Sequence, residues 1–411
     1  MRIGFVAVGD ELLAGAVTDV NTGWLARRLA QVGGQLVRAA TVGDQQEAIT
    51  AAVRAMLGHC EAVVVSGGLG PTSDDRTRPA LAELAGGGLH RDPALARAVR
   101  ERAALTGLGP AATELAVSQA DLPVAARSLP NPVGTAPGLR LEVDGRPVYA
   151  LPGVVAEFRA LVETYLVAEL ADPAAPSTRL LRTASLPEPL VAQLLEPLAG
   201  PGLSVAYLPD AGLVDVRLTG VDQRALAVAE ARARQLLGPA VYATESGSLA
   251  AAVQRALVAA GATVAAAESL TGGLLAADLT DTPGASAVFL GSVTAYATEL
   301  KAGLLGVDRE LLAREGAVHP RVAGAMAEGV RGLLGSDHGV ATTGVAGPDP
   351  QDGRPVGTVY VAVAGPGGTR VGEVRARGDR FTIRRRAVHA ALDLLRRQLT
   401  VAGEHQADPP R

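Results

Sequence analysis

Residues 61–75 read EAVVVSGGLGPTSDD, an apolar, β-branched run that ends in a glycine loop and two acids. Such a run is typical of a buried strand. Gly67, Gly68 and Gly70 let the backbone approach a ligand closely and direct N–H groups at a phosphate. Asp74 and Asp75 follow, and such carboxylates can hold a divalent cation against that phosphate. The stretch therefore predicts a strand with a phosphate and cation site at its end.

The segments around this stretch alternate between strand and helix patterns, which predicts a parallel sheet covered by helices. Strand-like runs occupy 2–9, 35–43 and 148–153, and helical spacing occupies 24–32, 46–57 and the segment after 153 to about 170. Ligands of such sheets bind at the carboxyl ends of the strands. Further clusters stand near these ends: 9–13 with Asp10 and Glu11, the loop 131–138 that begins with Asn131, and 151–153 with Glu157.

The rest of the chain predicts two further domains. The segment ADPAAPST (171–178) is expected to be a linker because of its proline, alanine and serine content. Residues 179–245 mix strand and helix patterns without a chemical cluster, which predicts a small α+β spacer. The alternation then restarts and closes with a helix over 384–399. We therefore predict an α/β protein with domains 1–170, 171–246 and 247–404.

The composition indicates a globular protein of two or three domains, at about 150 residues each for a chain of 411. A net charge of −4 argues against a general nucleic-acid-binding surface. Cys60 is the single cysteine, which excludes an internal disulfide and a cysteine-based zinc site. The first apolar run is broken by acids, as in a core strand rather than a signal peptide, and no run approaches the ~18 residues of a membrane span. We expect a cytoplasmic protein.

Lys301 is the only lysine among 38 basic residues, and the others are arginine. Arginine replaces lysine well in surface charge and carboxylate pairing, but a guanidinium does not lose its proton near neutral pH. Lys301 is therefore either a chance survivor or a residue whose chemistry needs an amine.

Four segments resemble the molybdopterin-binding-like domain of the CinA family (competence/damage-inducible protein A): GDELLAG (9–15), GGLGPTSDD (67–75), NPVGTAPG (131–138) and LPGV (151–154). The resemblance implies a three-layer α/β/α fold and metal-dependent hydrolysis of ADP-ribose to AMP and ribose 5-phosphate. By position, it implies an acidic pair, Asp44 and Asp75, with Asp75 catalytic. It implies that Asp44, Asn131 and the glycines Gly67, Gly68 and Gly70 bind substrate. The carboxylates expected to hold Mg, Mn or Co are Asp10, Glu11, Asp74 and Glu157.

Another group of polar clusters lies in the last third of the chain. AESLTGG (267–273) ends a strand and opens a helix, so Ser269 would lie beside helix N–H groups, as an ordinary cap or as part of a site. Tyr296 and Lys301 follow, five residues apart, and TTGVAGPD (342–349) again joins hydroxyls to glycines. Arg380 and Arg384, at a helix start, are expected to reach a phosphate.

Together these segments resemble the C-terminal CinA domain, the PncC-type nicotinamide mononucleotide (NMN) deamidase. The resemblance implies hydrolysis of the carboxamide of NMN to nicotinic acid mononucleotide and ammonia, without a cofactor. The residues that match by position are Ser269, Ser286, Tyr296, Lys301, Thr343 and Arg384.

Amide hydrolysis needs a nucleophile, a proton shuttle and oxyanion donors. We assign Ser269 as nucleophile or as the residue that positions water, Lys301 as a base whose pKa is lowered by burial, and Tyr296 as proton relay. The expected oxyanion donors are the N–H groups of Thr271 and Gly272. The expected phosphate and substrate contacts are Thr343, Gly344, Gly347 and Arg384.

The leading interpretation is a bifunctional enzyme of pyridine-nucleotide salvage that acts on NMN and ADP-ribose, with neither nucleic acid nor membrane as partner. A homodimer is expected from the fold. Two alternatives are a molybdopterin adenylyltransferase-like activity of the first domain and a non-catalytic role in competence or recombination.

Overall fold

The computed structural model describes residues 1–105, 107–170, 175–244 and 247–406, with side chains described up to residue 400. The chain forms two compact units, which divide between Thr178 and Arg179. The predicted three-domain division stays a prediction, because residues 179–245 belong to the same unit as the C-terminal part.

The first unit alternates strands with helices along most of its length. Its elements are β1 (Arg2–Val8), α1 (Asp10–Leu13), α2 (Asn21–Gln31), β2 (Gln35–Val42), α3 (Gln46–Leu57), β3 (Ala62–Ser66), α4 (Thr77–Leu84), β4 (Leu89–Arg91), α5 (Pro93–Leu105), α6 (Pro110–Val117), β5 (Asp121–Pro123), β6 (Arg127–Leu129), β7 (Gly138–Val143), β8 (Arg146–Leu151), α7 (Val155–Leu161) and α8 (Val167–Leu170), with a π-helical turn between the last two.

The main sheet of this unit has the order β2-β1-β3-β8-β7-β6. The first four strands are parallel, but β7 and β6 pair antiparallel, so the expectation of a wholly parallel sheet is wrong for this edge. Asp144 and Gly145 both have positive φ and form the tight turn that reverses β7 into β8. Both faces of the sheet are covered, with α3 packed on one and α2 and α7 on the other. This is the predicted three-layer α/β/α fold.

The second unit contains two sheets. Its elements are β9 (Ser177–Ala184), α9 (Glu188–Leu195), β10 (Leu203–Asp210), β11 (Leu213–Gly220), α10 (Gln223–Leu237), β12 (Val241–Thr244), α11 (Leu249–Ala260), β13 (Val264–Glu268), α12 (Leu274–Thr280), β14 (Phe289–Thr294), α13 (Thr298–Leu305), α14 (Arg309–Glu315), α15 (Pro320–Leu334), β15 (His338–Gly344), β16 (Thr358–Gly365), β17 (Gly368–Arg375) and α16 (Arg380–Gln406). Strand β9 begins at Ser177, two residues before the second unit begins at Arg179, and therefore inside the predicted linker 171–178. Residues 171–174 of that linker lie outside the described residues.

The small sheet has the order β10-β11-β9-β12 and shares one core with α9 and α10, as predicted for an α+β segment. The larger sheet has the order β14-β13-β15-β16-β17. Its first three strands are parallel, whereas β16 and β17 form an antiparallel hairpin. Among the described residues, no helix combines the length and apolarity needed to cross a bilayer.

Candidate functional site

The ends of three neighbouring strands bring the predicted residues of the second unit together. In the register of the parallel strands, Glu268 at the end of β13 pairs with Thr294 of β14 and Thr342 of β15. The residues that follow each strand therefore lie at one edge of the sheet. Ser269 stands there, and its N–H donates to the carbonyl oxygen of Thr342 at 3.0 Å.

Lys301 reaches this edge from α13. Its side chain is 1% exposed, and its Nζ lies 3.1 Å from Ser269 Oγ, 2.8 Å from the carbonyl oxygen of Ala295 and 3.3 Å from that of Tyr296. Burial lowers the pKa of the Lys301 amine from 10.5 to about 8, although Asp352 and Glu299 act in the opposite direction. A fraction of the amine is therefore neutral near physiological pH, held beside a hydroxyl from which it can take a proton.

The loop after Ser269 is held by hydrogen bonds to Glu268, which is fully buried. Its carboxylate accepts hydrogen bonds from the N–H groups of Gly273, Leu275 and Ala276, at 2.9, 3.1 and 2.9 Å. These amides form the first turn of α12, where a negative charge is favoured. The positive end of this helix is thus neutralised within the chain.

The first unit has a cavity of about 580 Å³ at the carboxyl ends of its parallel strands. Its wall includes eight predicted residues: Glu11, Asp44, Gly67, Gly68, Gly70, Asp74, Asp75 and Glu157. Asp10 and Asn131 are not part of the wall.

Asp10 and Asp44 exchange hydrogen bonds: the backbone N–H of Asp10 donates to the Asp44 carboxylate at 3.0 Å, and that of Asp44 donates to the Asp10 carboxylate at 3.3 Å. Asn131 donates to Glu157 at 2.7 Å and so orients that carboxylate.

The glycine loop is close-packed against the end of the neighbouring strand β1. Gly67 has φ +109°, and a Cβ there would lie 2.3 Å from the carbonyl oxygen of Val8, so only glycine fits. Thr77 Oγ1 donates to the Gly67 carbonyl, and the guanidinium of Arg78 donates to the carbonyls of Leu69 and Gly70 at 2.6 Å each. The side chains of Thr77 and Arg78, which follow the loop in sequence, therefore hold the loop carbonyls in place.

Comparison with known proteins identifies both halves of the chain. Residues 246–399 match the model of the CinA C-terminal domain, and residues 4–172 match that of the probable molybdopterin binding domain. A CinA-like protein of Frankia casuarinae is 46% identical over 97% of this chain and 96% of its own length, and one of Gemmatimonas aurantiaca is 42% identical with the same coverage. The chain belongs to the CinA family. A solved CinA structure from Thermoplasma acidophilum covers 39% of this chain and 94% of its own, at 34% identity and a TM-score of 0.37.

Several predicted contacts of the CinA C-terminal domain are used within the chain. The N–H of Gly272 donates to the Ser269 carbonyl at 3.1 Å, so the expectation of Gly272 as a free oxyanion donor is wrong. The hydroxyl of buried Thr271 forms a hydrogen bond with that of Thr342. Thr343 is fully buried and donates to the Ala317 carbonyl at 2.7 Å. Arg384 donates to the carbonyls of Leu270 and Thr271 at 2.9 and 2.7 Å, so it holds the loop instead of extending toward a phosphate.

Tyr296 is placed differently from the prediction. Its side chain is 57% exposed, and its hydroxyl accepts a hydrogen bond from Arg380 at 2.8 Å, whereas its carbonyl holds Lys301. Arg380 also donates to the Gly347 carbonyl at 2.7 Å and is exposed beside the site. The contacts link Tyr296 to the exposed Arg380 and give its hydroxyl no described contact with Ser269.

Ser286 lies away from the reacting groups, whereas Gly344 ends β15 at the edge of the sheet that holds Ser269. Ser286 precedes β14, whose first residue pairs with Val264, so within this chain Ser286 lies at the opposite edge of the sheet from Ser269. A Cβ on Gly344 would lie 2.6 Å from the Thr358 carbonyl oxygen, so this glycine serves the pairing of β15 with β16. The predicted substrate contact of Ser286 is therefore wrong for the single chain, whereas that of Gly344, at the carboxyl end of β15, stays a prediction.

The four predicted metal ligands are not gathered into one set. Among the described residues, no three acidic, histidine or cysteine side chains converge as a metal cluster.

Burial raises the pKa of the Asp44 carboxyl, and the neighbouring Asp10, Glu11 and Asp74 carboxylates raise it further. A hydrogen bond from the backbone N–H of Asp10 acts in the opposite direction and lowers it. Both oxygens of Asp75 accept hydrogen bonds from the loop, from the N–H groups of Gly70 at 2.7 Å and Thr72 at 2.9 Å.

Sequence reasoning missed residues that organise both sites. Asn21 of α2 donates to the Gly153 carbonyl at 2.9 Å and lines the cavity, and its buried Oδ1 has no hydrogen-bond partner among the described residues. Asp352 accepts from the N–H of Ala317 at 2.7 Å and acts electrostatically on Lys301. Glu268 stands inside the quoted AESLTGG segment, where an acid directly after an apolar run was the available signal.

Proposed function

We propose that the C-terminal part of the second unit is an amidohydrolase that converts NMN to nicotinic acid mononucleotide and ammonia. The observation that carries the proposal is the buried Lys301 amine, 3.1 Å from Ser269 Oγ and with a pKa lowered to about 8. An amine of this kind is a general base suited to neutral pH. The exposed cation beside this pair, Arg380, is placed to attract a phosphate-bearing substrate.

In the proposed reaction, neutral Lys301 takes the proton of Ser269 Oγ as that oxygen attacks the carboxamide carbon. The C–N bond then breaks, and the proton returns to the leaving nitrogen, which departs as ammonia. Water, deprotonated by the same amine, attacks the resulting ester and releases the acid and Ser269. The carbonyls of Ala295 and Tyr296 orient the amine toward the serine, because they accept two of its three N–H bonds once it is protonated.

The decisive experiment measures ammonia release from NMN by the whole protein and by Lys301→Arg. Arginine keeps the positive charge but cannot act as a base, so we expect a loss of at least ~100-fold in kcat. Arg309→Lys, an equally conservative exchange at an exposed position of α14, is the matched control and should keep full activity. Equal ammonia release by wild type and Lys301→Arg would overturn the base assignment.

A second measurement separates an acyl-enzyme from a serine that only positions water. Hydroxylamine competes with water for an ester intermediate, so it should divert product to the hydroxamic acid without slowing ammonia release. Ser269→Ala should abolish both products. Ammonia release without hydroxamate formation would support water as the direct nucleophile.

For the first unit we propose metal-dependent hydrolysis of ADP-ribose to AMP and ribose 5-phosphate, a proposal supported by the charge of its cavity. Six carboxylates line it, Glu11, Asp19, Asp44, Asp74, Asp75 and Glu157, and the described lining residues include no lysine or arginine. A pyrophosphate would be repelled from such a wall unless a cation accompanied it. Cations such as Mg²⁺ need only one or two carboxylates when phosphate and water complete their shell, so Asp44 and Asp74 fit that role without a preformed cage.

When bound, a divalent cation would neutralise the pyrophosphate and lower the pKa of water. The chain itself supplies the loop 67–70 for the phosphates and the unpaired Asn21 Oδ1 for a substrate hydroxyl or amine. The test is release of AMP from ADP-ribose with and without Mg²⁺, Mn²⁺ or Co²⁺. Release of AMP without added cation in the presence of a chelator would contradict the proposal.

A further inference from the structure

A second cavity, of about 600 Å³, lies within the second unit and apart from the Ser269–Lys301 pair. It is bounded by α16, by the hairpin of β16 and β17, and by two turns of the small sheet, at 185–187 and at Gly212. Neither the proposed amidase chemistry nor the proposed ADP-ribose hydrolysis uses any residue of its wall. Its volume falls in the range of small-molecule sites.

One face of α16 supplies the polar wall. Arg386, His389, Asp393 and Arg397 follow each other at helical spacing and all line the cavity. The arginines just before them point elsewhere: Arg384 holds the loop carbonyls of the proposed amidase site, and Arg385 forms an ion pair with Asp278 at 2.7 Å. The three consecutive arginines 384–386 therefore have three different surroundings, and only Arg386 lines the cavity.

Among the described residues, Arg386 is the cation of this wall for which neither an ion pair nor a hydrogen-bond acceptor is found. Its Nε is buried without a hydrogen-bond partner among the described residues. The other charges are matched: Arg375 pairs with Glu373, and Arg397 pairs with Asp393 at 2.8 Å. Asp393 also binds Arg396 at 2.6 Å, so it is not available to Arg386 as a free carboxylate. A buried N–H of a guanidinium without an acceptor is unfavourable, and an anion in the cavity would supply that acceptor.

The rest of the wall is apolar and fits an organic group. Leu186, Pro187, Val374 and Leu394 line it, beside small residues that leave the volume open. Arginine recognises phosphate through paired N–H donors, and apolar surfaces accept a ring. We propose that this cavity binds a phosphate-bearing small molecule of nucleotide size, with the phosphate on Arg386 and the ring against the apolar wall.

AMP is the probe, and the whole protein is titrated with it by calorimetry and followed by hydrogen–deuterium exchange. Binding here should slow exchange around 185–187, 212 and 386–397, whereas binding in the first unit would slow it around 67–70. Arg386→Gln should weaken binding at the first set of segments by about ten- to hundredfold, because it removes a charged hydrogen-bond donor. Adenosine, which lacks the phosphate, should be weaker by a similar factor.

Two further variants make the result decisive. Arg377→Gln removes the same charge from an exposed position outside the cavity and should bind AMP like wild type. Ala390→Phe keeps Arg386 but fills the cavity, and should also abolish binding; it decides the matter if Arg386→Gln does not fold. Unchanged AMP affinity in both cavity variants, or protection by AMP confined to 67–70, would overturn the proposal.

Discussion

The pKa of Lys301 is the residue-scale property on which the proposed amidase depends most directly. Burial lowers it to about 8, so the neutral base is the minor form at pH 7 and the major form above pH 8. We therefore predict that kcat/KM for NMN rises about tenfold per pH unit on the acid side and levels off above about pH 8. Ammonia release between about pH 6 and 9.5 measures this profile, and a rate that is flat across the range would contradict it.

The same burial makes Lys301 unfavourable for stability at neutral pH. A pKa below the unfolded value of 10.5 means that the folded state holds fewer protons, so stability rises from about pH 8 to 10.5 and is lowest below pH 8. Lys301→Met removes the buried charge, and we predict a gain of about 1–3 kcal/mol in the free energy of unfolding at pH 7, together with loss of activity.

Urea denaturation of wild type and Lys301→Met near pH 7 and pH 10 measures this difference. The gain should shrink at the higher pH, because the wild-type amine is then neutral in the folded state. Arg309→Lys is again the control and should unfold like wild type at both values. A variant that is less stable than wild type at pH 7 would show that the three acceptors of the Lys301 amine outweigh its desolvation.

Sequence predicted which residues stand near the proposed sites better than it predicted what their side chains do. Ser269 directly follows β13, and Lys301 lies in α13, the helix after the neighbouring parallel strand β14, so the two side chains meet. A sequence motif is enough to predict this placement. Thr343 and Arg384 were expected to contact substrate, but their donors bind backbone carbonyls of neighbouring loops. Those carbonyls come within reach only when the loops pack. Local sequence therefore contains no signal that a carbonyl of the chain competes with substrate for the same donor.

At the scale of elements, the first turn of α12 depends on one carboxylate. Glu268 is fully buried and accepts three N–H groups that a seven-residue helix would otherwise leave unpaired. Glu268→Gln turns an NH₂ group toward these donors and removes the charge. We predict a loss of about 1–3 kcal/mol in unfolding free energy and a fall of about tenfold in kcat for NMN, because the Ser269 loop loses its support.

Chemical denaturation and ammonia release measure the two effects. Glu328→Gln is a matched control, because its carboxylate accepts a surface hydrogen bond from Thr369 at 2.7 Å and touches no part of the loop. Its effect should stay within about 0.5 kcal/mol. Full stability and full activity in Glu268→Gln would show that the cap is dispensable.

Strand direction is the element-scale feature that pattern alone did not give. The strand-like segments 357–365 and 370–378 both form strands, but they pair as the hairpin of β16 and β17. The short connection through Pro366 and Gly367 leaves no room for a crossover helix, so the antiparallel pairing follows from loop length. The position of β7 beside β8 follows in the same way from the turn at Asp144 and Gly145.

At the scale of the whole molecule, the two units contain opposite chemistry. The cavity of the first is lined by six carboxylates and, under the proposal, takes a phosphate only together with a cation, whereas the proposed site of the second relies on a buried amine and an exposed arginine. Each unit has its own sheets and its own apolar core. The predicted fold class and family placement follow from motifs in both, while the net charge of −4 conceals this contrast.

We predict that the two activities can be removed independently. A chelator, or Asp44→Asn, should lower AMP release from ADP-ribose by at least ~100-fold and leave ammonia release from NMN unchanged, because only the first unit is expected to need a cation. Lys301→Arg should have the converse effect. Asp92→Asn, which keeps a good helix cap at the start of α5, controls for a change of charge in the first unit. Loss of both activities on chelation would mean that the amidase chemistry also depends on a metal, and would remove Lys301 as a sufficient base.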